Sequence, residues 1–132
     1  MATVTVIVDQ ISGTASRGNA RGFNVVMDRP EAKGGTNEGM MGGEALLNGL
    51  GGCLMSNLLA AAKARNFVLR NAHAEIEGDI ADAPSRFSEI RMSISAQCEP
   101  PEELAKLVRI AENGCIVANT LKAAVALSVQ IV

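Results

Sequence analysis

At 132 residues, 48% apolar and 20% charged, the chain reads as one soluble globular domain with no room for a separate cofactor domain. A net charge of −2 and a pI near 5.4 leave no electrostatic footprint for nucleic acid or an anionic membrane. With three Phe and no Tyr or Trp, base-stacking and sugar-stacking shelves are excluded, and the core must come from Leu, Ile, Val, Ala and six Met. Such a core has little bulky surface per residue, and dimerisation is one way to bury more of it.

The N-terminus, MATVTVIVDQIS, alternates apolar and polar residues and lacks the basic start and apolar run of a signal peptide. No run of about 18 apolar residues marks a membrane span, so a cytoplasmic location without a membrane partner is expected. Cysteines there stay reduced, and any disulfide is transient and functional. Residues 3–11 read as a first strand. A turn-rich stretch with Gly13, Gly18 and Asn19 follows, then a second strand over 22–28. Residues 29–43, RPEAKGGTNEGMMGG, form a loop of a length that is usually functional or mobile.

From 44 to 66 the pattern is helical. Leu47, Leu50, Leu54, Leu58 and Ala61 draw one apolar stripe, and Leu46, Leu50, Cys53 and Asn57 draw a second beside it, predicting a central buried helix. Residues 72–80 and 87–98 each alternate with period two. Joined by ADAPS, they read as an antiparallel pair with Ile76, Ile80, Ile90, Met92 and Ile94 on the core face. Pro100, Pro101, Glu102 and Glu103 start a helix that Gly114 stops, and Cys115 begins a shorter one, CIVANTLKAA. The tail, 125–132, alternates again as a closing strand. The fold class is therefore α+β in a single domain, 1–132: an antiparallel sheet packed on a long central helix bearing Cys53, with a second helical pair.

The three cysteines differ in setting. Cys98 is in phase with Ile94 and Ala96 and reads as a small core residue. Before Cys53 stand Gly49, Gly51 and Gly52, each costing about 1 kcal/mol in a helix interior relative to Ala. Close packing of the helix on a neighbour is one reason for them; access of a substrate or a second thiol to the sulfur is another. Cys115 follows Gly114 at a helix start, where first-turn N–H groups and the dipole favour a thiolate, though a cysteine there can also be an incidental cap. The single His, His73, falls on the charged face beside Glu75 and Glu77, and no metal site is expected.

Two segments carry a resemblance. GGEALLNGLGGCLMSNLLAAAKARN, with Asp28 and the loop glycines before it, resembles the first-cysteine region of the OsmC/Ohr family of osmotically induced and organic hydroperoxide resistance proteins. IAENGCIVANTLKAAV is similar to that family's second-cysteine helix, and the order of elements agrees along essentially the whole chain. The resemblance implies an intertwined homodimer whose two subunits build each site, with no bound cofactor. Cys53 would attack a hydroperoxide and become a sulfenic acid. Cys115 would resolve it to a disulfide, and a dithiol reductant of lipoyl type or a small thiol would reopen that bond. Such a pair needs Cα atoms about 4.4–6.8 Å apart, which only tertiary folding can arrange here. The resemblance further implies an arginine beside the reacting thiol; Arg21 is the better match and Arg17 the second, with a surface turn residue as the alternative.

Two positions depart from the family pattern. Where the peroxidases carry a glutamate ten residues before the cysteine, this chain has Gly43; Glu44, nine before, would lie roughly 13 Å away on another face of the helix. This spacing resembles the family's less characterised branch. The usual Pro after the second cysteine is replaced by Ile116. Other thiol-disulfide chemistry is thus an alternative to a peroxidase. A non-catalytic dimer is another, its Met40 and Met41 covering a groove for an apolar small ligand.

Overall fold

The computed structural model describes residues 1–132 and is α+β, with antiparallel sheets and one long helix. The chain divides into two compact units, Met1–Leu46 and Leu47–Val132; the long helix α1 (Gly42–Ala64) begins in the first and continues into the second.

The first unit is a meander of β1 (Ile7–Gln10), β2 (Ser16–Ala20) and β3 (Phe23–Met27). The middle strand falls where composition reads as turn. Ser-Arg-Gly-Asn-Ala has little strand propensity of its own, and it is extended because both its edges are paired, with Gly18 opposite Val8 and Val25. Arg21 and Gly22, at φ 54° and 89°, form the two-residue turn to β3, with the two positive φ values of a type I′ hairpin.

The long loop is fastened, not mobile. Its anchor is Asp28, a buried carboxylate that accepts the N–H groups of Arg29 (2.7 Å), Thr36 (3.2 Å) and Glu38 (3.1 Å) and the Thr36 hydroxyl (2.8 Å). Two glycines let the loop close this tightly. A Cβ on Gly35 would lie 2.0 Å from the Arg29 carbonyl oxygen, and one on Gly39 would lie 2.2 Å from that of Val26. At the loop's end the Met41 N–H donates to Glu44 Oε1 at 2.8 Å, so Glu44 caps the start of α1.

In the second unit α1 packs on a long hairpin, β4 (Val68–Ala81) and β5 (Arg86–Glu99), followed by α2 (Leu104–Asn113) and α3 (Ile116–Leu121). The expected stripe is the buried one: Leu50, Leu54, Leu58, Ala61 and Ala62 join Leu107, Ala111, Cys98, Cys115 and Ala118 in one cluster. Gly51 faces β4, where the terminal methyl of Ile76 sits 2.7 Å from the place a Cβ would take. One of the three helix glycines is thus a close-packing residue. Gly49 and Gly52 meet nothing within 4 Å in this chain.

Three expectations change. The central helix is not buried all round: Leu46 and Leu59 stand exposed. Ile80 points outward: a register shift between Asp79 and Ile80 reverses the alternation, leaving it exposed and turning Ala81 inward. The tail forms no strand. Residues 124–132 lack regular structure and Val125, Leu127, Val129 and Ile131 are exposed, since alternation makes a strand only where an edge accepts its hydrogen bonds.

Asp28 makes a pH prediction. Burial alone would raise its pKa, but the Glu38 N–H, the Thr36 hydroxyl, the Arg29 N–H and the Thr14 hydroxyl outweigh it and hold the carboxyl well below the usual carboxylate range. A depressed folded pKa contributes stability that is fully present above the unfolded value, about 3.9, and is lost as pH falls through the folded one. Asp28→Ala is therefore expected to lower the melting temperature by several degrees at neutral pH. The gap from wild type should narrow below about pH 4; a constant gap in calorimetric scans from neutral to acid pH refutes this.

Candidate active site

The second unit brings Cys53 and Cys115 together, and both are free thiols. Cys53 is half-buried on α1, between the core residues Leu50 and Leu54, so its sulfur sits at the border of the packed stripe. Cys115 is fully buried at the N-cap of α3, and its Sγ accepts the Ala118 N–H at 3.4 Å. An N-cap side chain that takes the third helical N–H is ordinary capping geometry with sulfur in place of oxygen. The first two N–H groups of α3 are not used by this cap bond, although that of Val117 also acts in a minor way on Cys115.

They act on the other sulfur. The Val117 N–H is the chief influence holding the Cys53 thiol below its ordinary pKa; partial burial opposes it, and the Cys115 S–H and the Ile116 N–H add to it. Cys115 shifts the other way. Burial pushes it up, the Ala118 N–H pulls it down, and the neighbouring Cys53 pushes it up again. The proton of the pair therefore leaves Cys53 first, and Cys115 stays a thiol that donates to the Cys53 thiolate. That polarity suits an attacking thiolate and a protonated second sulfur within reach.

The other expected residues have definite places. Arg21 lies exposed at the β2–β3 turn in the first unit, its guanidinium carbon 5.5 Å from the Phe23 ring centre. Arg17 is exposed on β2, opposite Asp9 and Val26. Gly43 and Glu44 are in the first turn of α1, with Glu44 engaged as its cap. Cys98 is buried on the core face of β5, and His73 is exposed on β4 opposite Ser95. Met40 forms a parallel bridge with Met27, and Met41 borders a hollow in the first unit lined also by Val8, Met27, Asp28, Arg29 and Lys33.

The apolar groove lies in the second unit. An open hollow of about 420 Å³ runs between β5 and the three helices, lined by Leu50, Leu54, Ile90, Met92, Val108 and Leu121, with the Lys122–Glu112 ion pair on its wall. Leu50 and Leu54 flank Cys53 in α1, and Ala118 of the lining donates to the Cys115 sulfur. Sequence periodicity had no means of finding it, because its walls come from four separate elements.

These features define an α+β protein with an unequal thiol pair, one sulfur activated at the surface of a helix and one buried at a helix cap. The chain belongs to the OsmC family: the family model described as OsmC-like protein matches residues 35–130. Among solved structures it is similar to a putative osmotic stress induced and detoxification response protein from Psychrobacter arcticus, at 19% identity and a TM-score of 0.78, over 91% of this chain and 89% of that one. An OsmC-like protein from Mycoplasma pneumoniae aligns at 17% identity and a TM-score of 0.80, over 92% and 88%. The organic hydroperoxide resistance protein OhrB of Bacillus subtilis aligns at 18% identity and a TM-score of 0.59, over 92% and 91%. No curated protein sequence matches the chain.

Ile116 offers a test of the thiol polarity. It is exposed at the first position of α3, where proline is favoured, and Cys115 before it already has the extended backbone (φ −82°, ψ 111°) that a following proline requires. Ile116→Pro thus removes one N–H and little else. Cys53 is expected to titrate higher in this variant, seen as an alkaline shift in the pH profile of its iodoacetamide alkylation; an unchanged profile contradicts the assignment of that N–H.

Proposed function

We propose that the chain is a thiol-dependent peroxidase that reduces organic hydroperoxides in oxidative-stress defence. The observation that carries this reading is the half-buried Cys53 thiol, its pKa held below the ordinary value, set against the buried Cys115 thiol. In the first step the thiolate attacks the distal peroxide oxygen. The O–O bond breaks, the alkoxide takes a proton and leaves as the alcohol, and Cys53 becomes a sulfenic acid. The Cys115 sulfur then displaces that oxygen as water, forming the disulfide. A dithiol, of lipoyl type or a small thiol, exchanges with the disulfide, returns both thiols and leaves as its own disulfide. The groove favours an organic hydroperoxide, since it offers an apolar tail a bed whose walls include Leu50 and Leu54, which flank Cys53 on α1.

Arg21 is the proposed cationic partner of the peroxide, with Arg17 the second choice. Its φ of 54° supports the choice, because Asn or Gly fills that turn position more cheaply. Charge-assisted donation from a guanidinium would stabilise the thiolate and the departing oxygen. The working unit is proposed to be a homodimer. The first-unit sheet exposes Ile7, Val8 and Phe23, the tail exposes four alternating aliphatic residues, and α1 keeps two glycines with open space before them. A second copy covering these surfaces accounts for all three features.

The groove also supports a second reading, retention of an apolar ligand without turnover. Cumene hydroperoxide and a dithiol decide between the two. Wild type is expected to consume peroxide catalytically and Cys53→Ser to consume none. Cys115→Ser should use about one equivalent and then stall as a sulfenic or sulfinic acid. Arg21→Ala should lower kcat/KM about 100-fold, as removal of a charge-stabilising donor does. Equal turnover by Cys53→Ser sinks the peroxidase reading and leaves the ligand-binding one. Sedimentation equilibrium should give the mass of two chains, and a monomer at micromolar concentration removes the dimer.

A further inference from the structure

One polar side chain joins the helix of the attacking thiol to the corner that carries the resolving one. Asn57 stands one turn beyond Cys53 on the same face of α1, and its Nδ2 donates to the Ala111 carbonyl at 3.2 Å. Ala111 stands one turn before Cys115. The two pairs run in opposite directions: Asn57 faces Ala111, and Cys53 faces Cys115. Asn57 also lies against the corner itself, its Nδ2 being 3.6 Å from where a Gly114 side chain would begin.

The acceptor needs this donor. The last carbonyls of an α-helix have no intrahelical partner. At the end of α2 the Ile110 carbonyl takes the Gly114 N–H, the Glu112 carbonyl takes the Cys115 N–H, and the Asn113 carbonyl takes Asn119 Nδ2. Ala111, almost wholly buried, is left to α1. Every other bond in this set stays within the α2–α3 corner; only the one from Asn57 ties the corner to the helix of Cys53.

Building on the reading of Cys53 and Cys115 as a redox pair, we propose that Asn57 is its positioning residue: its amide N–H fixes the α2–α3 corner against α1 and thereby sets the Cys115 sulfur and the first N–H groups of α3 on Cys53. Asn57 touches neither substrate nor reacting sulfur in this role. Without it the corner is still capped and still buried, but its register on α1 rests on apolar packing, which is not directional, and on the weak sulfur contacts at Cys53 whose geometry is itself in question.

The test uses the full chain and two measurements that general destabilisation would not move. The first is the equilibrium of the Cys53–Cys115 disulfide with a glutathione buffer, read by peptide mass. The second is the pH profile of Cys53 alkylation. Asn57→Leu, similar in size but without a donor, is expected to weaken disulfide formation about tenfold, which is about 30 mV less negative for a two-electron couple. It should also move the alkylation profile to higher pH. Asn57→Gln, which keeps the amide, is expected to return both toward wild type. Wild-type values in Asn57→Leu overturn the proposal, and so do Leu and Gln variants that behave alike. If the Leu variant does not fold, Asn57→Ser supplies the comparison, its hydroxyl being too short to reach Ala111; wild-type values there overturn the proposal equally. A wild-type chain that forms no Cys53–Cys115 disulfide in any buffer refutes the peroxidase reading and this role together. Failure confined to the Asn57 variants leaves the peroxidase reading standing.

Discussion

The end of α2 is where this structure could most easily have failed. Two helices meet there in the core, and a helix end buried without partners for its carbonyls costs about 1–3 kcal/mol for each group left unsatisfied. Each of the four is answered, two by backbone and two by asparagine side chains. Because the corner is closed in this way, Cys115 can cap the next helix with its sulfur and remain wholly buried. The Val117 and Ile116 N–H groups at the start of that helix then favour a thiolate on Cys53. The chemistry of the site follows from the hydrogen-bond accounting of a helix–helix corner, with no ionised side chain acting on Cys53.

The same economy does not extend to the outer surfaces. Gly51 has its reason in Ile76, but Gly49 and Gly52 lie on the open side of α1 and carry a helix penalty with no compensation in this chain. The β1–β3 sheet has almost no buried side chain, and the tail alternates for a ladder that is not there. A chain with three aromatic residues cannot spare this much aliphatic surface to water. α1 alone has the length and hydropathy to cross a bilayer, yet its Leu50–Leu54–Leu58 stripe is committed to a soluble-type core against the hairpin. The exposed aliphatic residues of the sheet and tail, and the open space before Gly49 and Gly52, are the features on which the proposed dimer rests.

Much of this was legible in the sequence, and the exceptions have physical causes. Period-3.6 and period-2 patterns located α1, α2, β4 and β5, because those elements bury one face and the pattern records it. β2 escaped because it buries little and takes its conformation from its neighbours. Ile80 was misplaced because a bulge changes phase without leaving a mark in residue type. The tail shows the converse: its alternation is real, but a strand is a relation between two segments, and no segment pairs with this one here. At the site, the glycine cluster and the helix start left Cys53 and Cys115 open to structural readings, and the resemblance of the two cysteine segments paired them. Asn57 sat in the predicted Cys53 stripe and went unremarked, since its partner is a backbone carbonyl that no sequence pattern exposes.

The departures from the family pattern change meaning once the geometry is known. Gly43 stands where the resemblance implies a carboxylate that orients an arginine, and Glu44 beside it accepts the Met41 N–H as a cap of α1. Ile116 works in the opposite direction. A proline after the second cysteine has no N–H, whereas Ile116 has one, and that group is among those that stabilise the Cys53 thiolate. The chain thus trades part of a side-chain charge network for a backbone donor at the same sulfur. A backbone N–H is weaker than an oriented guanidinium, but it is rigid, cannot be lost by a rotamer change and titrates nowhere near neutral pH. The Cys53 pKa is thus lowered by backbone donors of the chain itself, independently of any guanidinium. The arginine's contribution would then fall on the departing oxygen more than on the resting sulfur.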